Sequence, residues 1–129
     1  MKVTKFGGSS LASATQLEKV LNIVQSDPER HFVVVSAPGK RDGQDTKVTD
    51  ALIKYYKEYI SGKDVTASQE WIINRYQAMA DELGFEAKSL TKIAKSIRDL
   101  ANLPIEDNDF LYDTFLAAGE DNNAKLIAE

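Results

Sequence analysis

Lys5 stands two residues before a Gly7-Gly8-Ser9-Ser10 turn, and that grouping suits the binding of phosphate. Glycine has no Cβ, so the backbone can approach an anion closely and can adopt φ > 0, which lets successive N–H groups converge. A helix starting after the turn would add its positive N-terminal end, and the lysine a full charge. An ordinary strand-to-helix corner with a solvated lysine has the same composition, so the turn by itself leaves both readings open. A second grouping lies near the other end, in Ala117-Ala118-Gly119-Glu120-Asp121-Asn122-Asn123. Glycine inside an apolar-periodic helix costs about 1 kcal/mol relative to alanine. Close approach of a ligand or of neighbouring backbone would explain accepting it; a helix joint beside a solvated acidic patch is the alternative.

The elements that must position these residues can be read from periodicity. Lys2 to Phe6 form a short strand that delivers Lys5 into the turn. Ala14, Leu17, Val20, Leu21 and Val24 fall on one helical face, with Ser13 and Gln16 as a capping box and Asp27-Pro28 as the stop, giving a helix over about residues 11–26. Phe32-Val33-Val34-Val35 is a continuous β-branched run of the kind buried on both faces of a parallel sheet, and it ends in Ser36-Ala37-Pro38-Gly39. Strand, helix and strand over residues 1–40 make a right-handed βαβ unit. Ligands of such units sit beyond the carboxyl ends of the strands, where the Lys5-to-Gly8 and Ser36-to-Gly39 segments lie.

Residues 40–47 are charged and contain Gly43, and read as a mobile, solvated loop. The remainder, 46–129, is helical. Val48, Leu52, Tyr55, Tyr56 and Tyr59 stripe a helix over about 46–60 that Gly62 ends; the tyrosines read as packing groups. Thr66 and Gln69 offer a capping box to a helix with Trp71, Ile72, Tyr76, Met79 and Leu83 inward, stopped by Gly84. Leu90, Ile93, Ala94 and Ile97 mark another, and a last one starts near Asp107 with Phe110, Leu111 and Phe115 inward. Trp71, Met79 and His31 read as structural, and no metal-binding cluster is visible.

The chain has 129 residues, 43 % of them hydrophobic and 28 % charged, which suits one small globular domain. A formal charge of −4 argues against a nucleic-acid surface or a polybasic membrane anchor, because both depend on clustered cations. With no cysteine there is neither disulfide nor thiolate metal site, and no apolar run reaches the length of a membrane span, so a cytoplasmic setting is expected.

Lys5-Phe6-Gly7-Gly8-Ser9-Ser10, then Val33-Val34-Val35-Ser36-Ala37, then Val48-Thr49-Asp50 opening a helix, and finally Gly119-Glu120 resemble, in order and spacing, the amino-terminal part of aspartokinases. These belong to the amino-acid kinases, whose fold is an α/β sandwich of helices around a mainly parallel sheet. The resemblance implies phosphorylation of the side-chain carboxylate of L-aspartate with ATP and Mg2+. It assigns Lys5 to the transferring phosphoryl group, and Gly7, Gly8 and Ser9 to the phosphate and the acceptor carboxylate. Ser36 and Thr49 would hold polar groups of the substrate, and Glu120 would pair with its α-ammonium. Such a reaction needs positioning and charge neutralisation more than covalent help, which a lysine, backbone amides and magnesium provide. One departure is Asn123, where the family often has serine.

Two strong strands are fewer than a doubly wound sheet needs, and the pattern stops at Lys125-Leu126-Ile127-Ala128-Glu129 without a helix-stop residue. The expectation is an amino-terminal fragment that lacks the nucleotide-binding half and the regulatory domains, is not competent alone, and forms a homo-oligomer. A non-catalytic helical association module derived from such a kinase is the alternative.

Overall fold

The computed structural model describes residues 1–84 and 86–129. β1 (Lys2–Phe6) runs into a 3-10 turn (Gly8–Leu11), then come α1 (Ala14–Gln25), β2 (Arg30–Val35), α2 (Val48–Ile60), α3 (Thr66–Leu83), α4 (Ser89–Asp99), a second 3-10 turn (Leu100–Asn102) and α5 (Asn108–Ala128). β1 and β2 pair in parallel, with Val3 opposite Phe32, Lys5 opposite Val34 and Phe6 opposite Val35. Among the described residues no helix is long and apolar enough to cross a membrane.

Local chemistry accounts for most boundaries. The Ser13 side chain accepts a hydrogen bond from the Gln16 N–H, so α1 begins at Ala14, later than the predicted residue 11. Asp107 caps α5 by accepting from Phe110 N–H at 3.1 Å. Gly62 and Gly84 take positive φ after α2 and α3, the left-handed conformation that ends a helix without a Cβ penalty. The capping box expected of Thr66 and Gln69 does not form. Asp64 instead accepts from the Thr66 N–H at 2.9 Å.

The core lies between the helices. Tyr55, Ile72, Tyr76, Met79, Ile93, Ile97 and Phe115 are fully buried. The Phe115 ring meets Tyr55 edge-on with centroids 4.8 Å apart and stacks on Tyr59 at 5.8 Å. The phenol hydroxyls of Tyr55 and Tyr56 donate to the carbonyls of Ile97 and Asn108, and that of Tyr59 to Leu103, so these tyrosines are packing groups with satisfied polar tips.

The sheet departs from expectation. Phe32, Val33 and Val34 are 56 %, 37 % and 47 % exposed, although their run reads as doubly buried. Alternation puts Val3, Lys5, Phe32 and Val34 on one face, and none of the described residues covers it, whereas Phe6 and Val35 point to the helices. Leu21 is exposed as well, in a groove that it lines with Val24, Val33 and Leu126. Trp71 and Phe110, expected inward, stand at the surface.

Candidate functional site

The glycine turn and the segment after β2 meet backbone to backbone at the carboxyl ends of the two strands. Ser36 N–H donates to the Phe6 carbonyl at 3.3 Å and Gly39 N–H to that of Gly8 at 2.9 Å. A Cβ on Gly39 would fall 2.6 Å from the carbonyl carbon of Gly8, and one on Gly8 3.1 Å from the Ala37 carbonyl oxygen. Glycine is needed at residue 39 for this approach, whereas at residue 8 a Cβ would be a tight fit. Neither Gly7 nor Gly8 has positive φ, so the turn does not use that conformational freedom. Gly7 is extended, and a Cβ there would meet nothing within 4 Å, which leaves open space beside the turn.

α2 and α5 converge on the same segment. Val48 N–H donates to the Pro38 carbonyl at 3.1 Å, which places Thr49, half-buried in the first turn of α2, next to residues 36–39. α5 runs unbroken through Gly119, so no helix joint occurs there. A Cβ on Gly119 would lie 2.8 Å from Ala37 Cβ and 3.2 Å from Leu52 Cδ1; the glycine lets the helix approach neighbouring chain, not a ligand. Glu120 and Asp121, on the outward side, are exposed, while Asn122 and Asn123 are fully buried, so the acidic run is only half solvated. Asn123 Nδ2 donates to the Ser36 carbonyl at 2.7 Å.

Beneath these segments sits a polar layer from α3. The Tyr76 hydroxyl donates to the Gly119 carbonyl at 2.8 Å; burial, with the Glu120 charge adding, pushes its pKa far up, so the phenol stays a donor. Arg75 Nη2 donates to the carbonyls of Ala12 and Gly39. The loop at 40–47 is more ordered in its contacts than a solvated loop: Arg41 grips Asp45 through Nε and Nη2 at 2.7 and 3.0 Å, and the Asp45 side chain is 8 % exposed.

Of the residues singled out by sequence, Gly7, Gly8, Ser36 and Thr49 are brought together around residues 36–39. Lys5 enters from β1 on the exposed sheet face, Ser9 is exposed in the 3-10 turn, and Glu120 approaches from α5. Arg75 was not among them. Its signal was available: it shares the helical stripe of Ile72, Tyr76 and Met79, where a charge is out of place unless partnered. Among the described residues no group of three or more His, Cys, Asp or Glu could hold a metal ion.

The Asp45 contacts carry a pH dependence. Hydrogen bonding from Arg41 holds its carboxyl well below the ordinary value of 3.8. Because the folded pKa is depressed, the stabilisation is present above the ordinary carboxylate range and is lost as pH falls through the folded value. Urea midpoints measured from pH 6 down to about pH 2 should therefore fall more steeply for the native chain than for Asp45→Asn. Parallel curves would rule the contribution out.

The chain matches the model of the amino acid kinase family over residues 1–129. It is 47 % identical over 128 residues to aspartokinase 3 of Bacillus subtilis (strain 168), covering 99 % of this chain and 28 % of that protein. To the aspartokinase of Chlamydia trachomatis it is 32 % identical over 127 residues, covering 97 % of this chain and 26 % of the relative. Among solved structures, Clostridium acetobutylicum aspartate kinase superposes with a TM-score of 0.77 at 34 % identity, over 98 % of this chain and 28 % of that one. E. coli aspartokinase III, crystallised with lysine and aspartate, shares the fold with a TM-score of 0.75 at 23 % identity, over 98 % and 28 % of the two chains. The chain thus spans less than a third of the length of these relatives. The glycine turn packed against residues 36–39, at the ends of a parallel strand pair, is found in a chain that belongs to the amino acid kinase family.

Proposed function

We propose that this chain supplies the aspartate-facing part of an aspartate kinase site, which transfers a phosphoryl group from ATP to the side-chain carboxylate of L-aspartate. The observation that carries the reading is the contact of Gly8 with Gly39, which sets a phosphate-type turn against the segment bearing Ser36. The 47 % identity to a named aspartokinase supports the choice of substrate class.

Each residue has a role that its position permits. Lys5 neutralises charge on the phosphoryl group in flight, and the Gly7, Gly8 and Ser9 backbone and hydroxyl groups hold phosphate and acceptor carboxylate. The open space at Gly7 is room of the kind a phosphate needs. Ser36 and Thr49 orient the substrate, and Glu120 offers its α-ammonium a charge-assisted partner. ATP with Mg2+, when bound, supplies the phosphoryl group and offsets the charge of its oxygens. The described residues hold no carboxylate cluster for a metal, so the fit is to phosphate and not to a protein-held ion. The adenine part of the site is assigned to no residue of this chain.

Calorimetric titration of the chain with L-aspartate, and separately with MgATP, tests the reading. Saturable aspartate binding is expected. Glu120→Ala should weaken it about tenfold or more, the value of a lost charge-assisted hydrogen bond, and Lys5→Ala should leave it within about twofold. Binding of neither ligand would instead favour a non-catalytic module that self-associates, for which the open face of Val3, Phe32 and Val34 is the supporting observation.

A further inference from the structure

Arg75 is a cation inside the molecule, with its side chain 2 % exposed in the middle of α3. Burying a guanidinium is expensive, and a well-packed apolar side chain on the Ile72, Tyr76 and Met79 stripe would give comparable or better stability. What an apolar side chain could not do is donate to two carbonyls at once. Arg75 does so, and the two carbonyls belong to the two segments of the candidate site. Ala12 follows directly on the 3-10 turn that begins at Gly8, and Gly39 is the residue in closest approach to Gly8.

The third segment around the guanidinium is the charged loop. Asp45 Oδ2 lies 4.0 Å from Arg75 Nε, and Arg41 holds that carboxylate from the other side. Nε itself is buried with no hydrogen-bond partner among the described residues, so the orientation of the fork follows from its Nη2 bonds to backbone and not from an ideal ion pair. Burial and the nearby Arg41 work against the Arg75 charge while Asp45 favours it, as expected of a group kept for geometry at some cost.

We propose that Arg75 is a positioning residue that sets the spacing between the glycine turn and the 36–39 segment. It touches neither substrate nor nucleotide and acts through the Ala12 and Gly39 carbonyls. The role in catalysis rests on the reading of those two segments as the phosphoryl-transfer site.

The test compares Arg75→Met, which keeps an unbranched apolar stem but removes the charge and the donors, with Arg75→Lys, which keeps the charge and N–H donors on a shorter side chain. Amide hydrogen exchange is followed by NMR at Gly39, whose N–H bonds to Gly8, and at Tyr55 and Phe115 in the helical core. Arg75→Met should speed exchange at Gly39 about tenfold while leaving the core amides within about twofold, and Arg75→Lys should recover part of the protection. L-aspartate affinity should follow the same order. Unchanged exchange at Gly39, or a uniform rise that includes the core, overturns the proposal, as does lost protection at Gly39 with aspartate affinity intact. If the native chain binds no aspartate, the kinase reading fails, and the spacing role is then decided by the exchange at Gly39 alone.

Discussion

Gly39→Ala is expected to part the two site segments and to weaken L-aspartate binding at least about tenfold, or 1.4 kcal/mol. The added methyl would lie 2.6 Å from the Gly8 carbonyl carbon, 2.7 Å from its oxygen and 2.8 Å from Ser9 N. All three are backbone atoms, so no side-chain rotation relieves the clash, and overpacking of this kind costs about 1–3 kcal/mol of stability. The Gly39–Gly8 hydrogen bond at 2.9 Å would lengthen with it. Gly7→Ala is the internal control for stability alone, because its Cβ enters open space at an extended φ of −79°. Urea unfolding of both variants and calorimetry on Gly39→Ala check the expectation. Equal stability of the two would show that the segments are not held by this contact.

Phe115→Ala should have the largest effect on folding, a loss of about 3–5 kcal/mol. The ring is fully buried and meets three tyrosine rings, with centroids 4.8 Å from Tyr55, 5.7 Å from Tyr56 and 5.8 Å from Tyr59. All three tyrosines lie on α2, so truncation opens a cavity on the seam between α5 and α2 that the aromatic neighbours, tied by their hydroxyls to backbone carbonyls, are poorly placed to fill. The same seam carries Gly119 against Leu52 and Ala37, so loosening it also loosens the floor under Ser36. The urea midpoint and slope of the variant measure the loss. A loss below about 1 kcal/mol would mean that the seam repacks around the missing ring.

How much of this was legible depends on whether the cause is local. Asp107, Gly62 and Gly84 act within a few residues of themselves, and the helix ends they specify could be placed from the chain alone, whereas the start of α1 was set at residue 11 although Ser13 was recognised as its capping residue. The tyrosine stripe was legible for the same reason, since helical spacing fixes its face. Burial across elements was not. Phe32-Val33-Val34 has the composition of a doubly covered strand, but coverage depends on what packs above it, and none of the described residues covers the face of Phe32 and Val34. Phe110 sits in the first turn of α5, at the margin where periodicity stops deciding which side faces inward.

The candidate site divides along the same line. Lys5, the glycine turn and residues 36–39 were found as motifs, because a βαβ unit brings strand ends together by construction. That Gly119 serves packing, that Asn123 reaches the Ser36 carbonyl and that Arg75 bridges Ala12 and Gly39 are contacts over 82, 87, 63 and 36 sequence positions, beyond any local pattern. The charged loop was misjudged for the same reason. Its composition is that of a solvated segment, yet Asp45 is turned inward to a guanidinium thirty residues on.

The uncovered sheet face also governs the electrical surroundings of Lys5. The lysine shares that face with Val3, Phe32 and Val34, directly opposite Val34 in the ladder. Left in water, its attraction to a phosphoryl oxygen about 4 Å away is worth about 1 kcal/mol; beneath an apolar cover, at an effective dielectric constant of about 20, the same pair gains about fourfold. On the role proposed for Lys5, whatever shields Phe32 and Val34 from solvent would therefore also set the strength of its attraction to phosphate. Sheet packing and charge stabilisation are, at this lysine, one and the same variable.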